Sequence, residues 1–232
     1  MSDVDARRES AGGPAWSLED YRRGYVLLTK GHNPPYDEAI LASRLEAREF
    51  FEQGLITRGS RVLDTGCGHG RQAIGMMGFG IGTYTGLDVI ADSIDFCRQS
   101  FAGLPNFAFH HLDVQNAFYN PEGSQAPEVV VFPIADASQD AVVAGSLYTH
   151  LGTRAVCERY LDESVRVLKP GGGIFCSWFR SPPNKVTDDQ MRTVLPEAVI
   201  LDMVTRRFHV WYCRGGVDDG YNSQWCLYGR KK

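Results

Sequence analysis

Three glycines at alternate positions, Gly66, Gly68 and Gly70, follow directly on Arg61-Val62-Leu63-Asp64-Thr65. Nothing else in the chain limits its fold so strongly. Val62 and Leu63 read as a buried strand, the glycines allow a sharp turn or the close approach of a ligand, and Gln72 onward can propagate a helix. A strand, turn and helix in this order head many nucleotide folds, and the helix start offers N–H donors to a small anionic group.

Further strand and helix signals follow in alternation. Thr83–Asp88 and Phe107–Asp113 read as strands that each end in an acid, with a helix over 93–101 between them. Residues 115–127 are polar and turn-rich. A fourth strand is expected over 140–146 and a helix over 153–168, stopped by Lys169-Pro170-Gly171-Gly172. A fifth strand follows over 173–179, then a short helix around 188–195. Two β-like runs, 206–212 and 224–229, close the chain around a hairpin loop at 215–220. Strands alternating with helices imply parallel pairing and crossovers. The expected fold is therefore α/β: a Rossmann-like, seven-stranded, mostly parallel sheet with helices on both faces and a C-terminal antiparallel hairpin.

Before the first strand, helices are expected over 17–31 and 37–53, joined by a turn holding Pro34 and Pro35. The expected organisation is a flexible N-terminus (1–14), a helical cap (15–57) and the main domain (58–232).

Composition narrows the function classes. The net charge of −4 argues against a broad basic surface, so a small-molecule substrate is expected and nucleic acid is not. No apolar run approaches a membrane helix, and the N-terminus has no apolar core, so a cytoplasmic protein without membrane association is expected. A homodimer remains compatible with the sequence. The six cysteines have no C-x-x-C pair and read as buried small hydrophobes; neither a metal site nor disulfides are expected.

The glycine spacing decides what the turn holds. A dinucleotide fingerprint needs a small residue at its sixth position, where this chain has Arg71. Asp64, just before the glycines, would repel a pyrophosphate but suits an ammonium group. Asp88 lies 18 residues beyond Gly70, at the end of the second strand, where an acid can accept hydrogen bonds from ribose hydroxyls. The end of the fourth strand delivers Ser146, Tyr148 and His150 to the same edge. Tyr25, Lys30, His32 and Tyr36 flank the entrance segment, and Tyr119 and Asn120 are candidates for the mouth. His111 sits within a strand and reads as a core or supporting residue.

The run Val62-Leu63-Asp64-Thr65-Gly66-Cys67-Gly68-His69-Gly70-Arg71 resembles the first motif of the class I S-adenosylmethionine-dependent methyltransferases. Gly86-Leu87-Asp88, Asp113-Val114 and Arg166-Val167-Leu168-Lys169-Pro170-Gly171-Gly172 are similar to further landmarks in the same order. The resemblance implies S-adenosylmethionine as cofactor, with Asp64, Gly66, Cys67 and Gly68 around its methionine part. It puts Asp88 and Val89 at the ribose, Asp113 and Val114 at the adenine, and Ser146 at the methionine end again.

Phe109–Pro121 and Ser146–Leu151 look like a bacterial branch of that family, some members of which modify sugars or other small metabolites. The segment 181–205 is shorter than the family pattern, which alters the expected acceptor pocket. The implied activity is methyl transfer to a small molecule in natural product biosynthesis, at a sugar or metabolite hydroxyl, with His150 as general base and Tyr148 orienting the acceptor. An amine acceptor, a nicotinamide-dependent oxidoreductase and a non-catalytic cofactor-binding protein are the alternatives.

Overall fold

In the computed structural model, residues 17–29, 36–181, 188–189, 192–215 and 224–232 are described. The expected flexible segment 1–14, Lys30, His32 and residues 216–220 of the hairpin loop lie outside them.

Val62 and Leu63 show how the layers are built. Successive side chains of a strand point to opposite faces. Val62 joins an apolar cluster on one face, and Leu63 joins a second cluster on the other. Both are fully buried, as a strand covered on both sides requires.

The parallel part of the sheet comprises β1 (Arg61–Thr65), β2 (Thr83–Asp88), β3 (Phe107–His111), β4 (Gln139–Ala144) and β5 (Leu168–Ser181). Two short strands, β6 (Asp188–Asp189) and β7 (Arg192–Pro196), follow, then β8 (Phe208–Arg214) and β9 (Trp225–Lys231). β9 runs antiparallel on β5, and β8 antiparallel on β9. The strands run β3-β2-β1-β4-β5-β9-β8, the expected parallel core with an antiparallel C-terminal pair, and the long β5 also carries β7 and then β6, two strands beyond the expected seven.

The helices cover both faces. α1 (Leu18–Thr29), α2 (Tyr36–Glu52), α3 (Arg71–Met76) and α4 (Ala91–Ser100) pack with Val62, Tyr84 and Phe175. α5 (Arg154–Val167) and α6 (Glu197–Thr205) pack with Leu63, Val142 and Trp178. Tyr21, Tyr25, Ile40 and Phe50 place the first two helices in the same apolar cluster as the sheet.

Three segments depart from expectation. The helix expected at 188–195 is absent: Val194 and Leu195 pair with Phe179 and Arg180 of β5, and β6 pairs antiparallel with β7. Thr193 and Val194 are β-branched and favour that state. The helix starts instead after Pro196, over 197–205. Its apolar run, Ala198-Val199-Ile200-Leu201, hides the helical period, although Ile200, Met203 and Val204 form the buried face. Finally, Lys169–Gly172 does not stand apart from the fifth strand. It forms an irregularity within β5, between the pairs Gln139↔Leu168 and Ala141↔Gly173.

Candidate active site

The turn after β1 is organised by its own backbone. Gly66, Gly68 and Gly70 all have positive φ, at 80°, 49° and 79°, where only glycine is unstrained. The amides of Gly66 and Cys67 both donate to the Leu87 carbonyl, at 2.8 and 3.0 Å, which ties the turn to β2. Gly68 N–H donates to Asp88 Oδ2 at 2.7 Å, and Gly70 N–H to the Cys67 carbonyl at 2.9 Å. These four amides of the turn are therefore engaged within the protein, while the expected donors at the helix start are those of α3 itself. The protein's own carbonyls and the Asp88 carboxylate already engage these four donors.

Beside this turn, at the carboxyl ends of β1, β2 and β4, lies a cavity of about 930 Å³. Ligand pockets span roughly 300–1,000 Å³, so it stands at the upper end of that range. Of the expected cofactor residues, Asp64, Gly66, Cys67, Gly68, Asp88, Val89, Val114 and Ser146 line it, as does His150. A Cβ on Gly68 would meet nothing within 4 Å, so the turn leaves open space on that side.

Two expected residues stand elsewhere. Tyr148 is fully buried and stacks on Trp178 with ring centroids 4.3 Å apart, so it cannot orient a molecule in the cavity. It points into the core beneath β5 because Tyr148 and Trp178 belong to the apolar cluster on the α5 face. Asp113 is exposed, and its carboxylate accepts from Ser124 Oγ at 2.5 Å and Asn120 Nδ2 at 3.3 Å. These bonds hold its carboxyl below the usual range and spend it on the surrounding loop. His111 faces the Val89 carbonyl at 3.0 Å, a supporting position.

Burial sets the electrostatics. It pushes the Asp64 carboxyl up to about 7, against the opposing pull of a Tyr84 hydrogen bond and of Arg71. It also raises Asp88, although the amides of Ile90 and Gly68 bond its carboxylate, and it lowers His69.

Three further cavity residues, Arg71, Gln72 and Gln224, were not among the expected site residues. Arg71 Nη1 and Gln72 Nε2 both donate to Glu46 Oε2 of α2, at 2.7 and 2.6 Å. Burial opposes the Arg71 charge, but Glu46 more than compensates. Gln72 is left with a buried Oε1 that has no hydrogen-bond partner, and it lines the cavity. Across from it, Ser146 has a φ of 60°, rare for a residue with a side chain. Gln224 Nε2 donates to Ser146 Oγ at 2.9 Å, and Ser177 Oγ donates to Gln224 Oε1 at 2.6 Å. Ser177 Oγ also accepts from the Ser146 amide at 2.7 Å. Only the pairing of β9 with β5 brings Gln224 to this place. For Arg71 and Gln72, their position in the first turn after the glycines was the available clue.

His150 also lines the cavity. Its ring meets that of Tyr119 edge to face at 5.4 Å, and its carbonyl accepts from Asn116 Nδ2 at 3.1 Å. Tyr25 lines the cavity too, packed against Tyr36 and His69.

Known proteins share this architecture. Residues 62–172 match the family described as Methyltransferase domain. The chain is 38% identical over 117 residues to a fatty-acid O-methyltransferase of Mycolicibacterium smegmatis, covering 49% of this chain and 35% of that protein. It is 31% identical over 192 residues to a phthiotriol/phenolphthiotriol dimycocerosates methyltransferase of Mycobacterium ulcerans, covering 72% of this chain and 62% of that protein. The chain thus spans less than two thirds of either relative. A solved S-adenosylmethionine-dependent methyltransferase from Methanosarcina mazei superposes with a TM-score of 0.59 at 15% identity, over 78% of this chain and 96% of that one.

Proposed function

From the match of residues 62–172 to the Methyltransferase domain family and the fold shared with a solved S-adenosylmethionine-dependent methyltransferase, we propose that this chain transfers a methyl group to a hydroxyl of a small molecule. The observation that carries the reading is the cavity itself. Its walls bring Asp64, Asp88, the glycine turn and His150 together around one space.

The residues present fit the cofactor. Gln72 Oε1 is an orphaned acceptor in the cavity wall, and Asp64 is a buried carboxyl with a nearby arginine. Both favour a ligand end that carries an ammonium group. Asp88, between the turn and β2, is the partner for ribose hydroxyls, with Val89 beside it. Val114 and Leu112 supply apolar wall for a purine. Arg71 offers a positive charge for a carboxylate.

Bound S-adenosylmethionine supplies a methyl carbon made electrophilic by the adjacent sulfonium. The chain's part is to hold an acceptor oxygen in line with that carbon and to exclude water. A nitrogen of His150 takes the hydroxyl proton as the new oxygen–carbon bond forms and the carbon–sulfur bond breaks, releasing the thioether. Tyr119 sets the His150 ring by edge-to-face contact. Oxygen as the acceptor atom is favoured by the name of the M. smegmatis relative, a fatty-acid O-methyltransferase.

Titration calorimetry tests the cofactor half. S-adenosylhomocysteine should bind and NAD should not, and Asp88→Ala should weaken that binding at least tenfold. Incubation with methyl-labelled S-adenosylmethionine and a panel of hydroxylated and amine acceptors tests the transfer. Label recovered only on amines would move the acceptor atom to nitrogen, and binding of NAD in place of the homocysteine compound would overturn the reading.

A further inference from the structure

The long excursion between β3 and β4 presents an apolar surface at the cavity mouth. Exposed large apolar side chains are uncommon when they cluster. Among the described residues, Phe118 is 51% exposed, Val129 59% and Val131 54%, and all three lie in this excursion. Ala117, Tyr119 and Glu128 line the cavity, so Phe118 and Val129 each stand one residue from its wall.

The two halves of the excursion are stitched together. Val114 bridges to Gln125, Gln115 N–H donates to the Gln125 carbonyl at 2.8 Å, and Gln125 Nε2 reaches the Val129 carbonyl at 3.4 Å. Val130 and Phe132 point inward and are fully buried, which leaves Val129 and Val131 outward. A path of rings then leads inside: Phe118 lies 4.9 Å from Tyr119, and Tyr119 lies 5.4 Å from His150.

We propose that the acceptor is an amphiphile whose polar head enters the cavity to His150 and whose alkyl tail lies over Phe118 and Val129. This rests on the methyltransferase reading and adds the substrate class to it. The adjacency of the apolar rim to the cavity wall argues for a tail of the same molecule. A polar sugar or nucleoside would leave the rim uncovered.

The test uses hexyl, octyl and decyl glucoside below their micelle concentrations, with glucose as the tail-free control, titrated into the full chain saturated with S-adenosylhomocysteine. Full burial of a methylene changes affinity about fourfold, so a tail covered on one side should gain about twofold per methylene. Phe118→Ser combined with Val129→Ser should flatten that dependence, and Phe118→Leu should keep it. These side chains are exposed, so the fold is not at stake.

An affinity independent of chain length would overturn the proposal, as would a dependence unchanged in the double serine variant. Sedimentation covers the remaining occupant. If the wild type self-associates and the double variant does not, the rim is a contact between copies of the chain. The same titrations without the homocysteine compound read the rim alone, so a failure of cofactor binding would be seen separately from a failure of this inference.

Discussion

The carboxylate of Asp64 accepts a hydrogen bond from the hydroxyl of Tyr84, and both side chains are shut away from solvent. The register of β1 on β2, Val62↔Tyr84 and Asp64↔Gly86, sets the two residues diagonally across the strands. Burial raises the Asp64 carboxyl to about 7, well above the roughly 3.9 of an unfolded chain. The folded state therefore holds a proton that the unfolded state has lost. Its stabilising contribution is complete below about pH 4 and is lost as pH rises through about 7. Asp64→Asn, neutral throughout, should gain stability relative to wild type as pH rises from about 4 to about 7 in urea unfolding. A constant difference would contradict the assignment.

The same proton governs the cofactor. A ligand ammonium facing Asp64 needs the ionised form, so affinity for S-adenosylhomocysteine should fall as pH drops below about 7. Calorimetry across that range should find the pH dependence flattened in Asp64→Asn.

His150→Ala should lower kcat by roughly 100-fold or more, the scale of general-base catalysis. Cofactor affinity should stay within about twofold, because the imidazole serves the acceptor's proton and not the cofactor. The main-chain bond from Asn116 to the His150 carbonyl does not depend on the imidazole. A variant with unchanged kcat would remove His150 from the proton step.

Gly75 lies where α3 crosses α2. A Cβ there would overlap the Ser43 carbonyl, a backbone atom that cannot rotate away. Gly75→Ala should cost about 1–3 kcal/mol of stability, as overpacking does. Because Glu46 of α2 holds Arg71 and Gln72 of α3, prying the helices apart should also weaken cofactor binding. Urea unfolding and calorimetry read the two effects. A gain of stability would mean that helix propensity outweighs the contact.

Much of this was legible in the residues themselves. The glycine turn, the acids closing the second and third strands, and the alternation of helix and strand all rest on local chemistry, and they located β1 to β5. Tyr148 was misplaced because a strand's end does not reveal which way the following turn aims its side chains, and the stacking of Tyr148 on Trp178 is a long-range contact. Asp113 was misread for a related reason, since Ser124 and Asn120 compete for its carboxylate. Gln224 had no local signal, being recruited through the antiparallel pairing of β9. The helix at 197–205 was hidden because an apolar run without a polar face reads alike in either regular structure.

The excursion between β3 and β4 is spliced into the chain at a different point from the glycine turn, and the two meet only across the cavity. The mouth therefore has anchors of its own: Asn116 Nδ2 donates to the His150 carbonyl, and Arg159 Nε of α5 donates to the Val130 carbonyl.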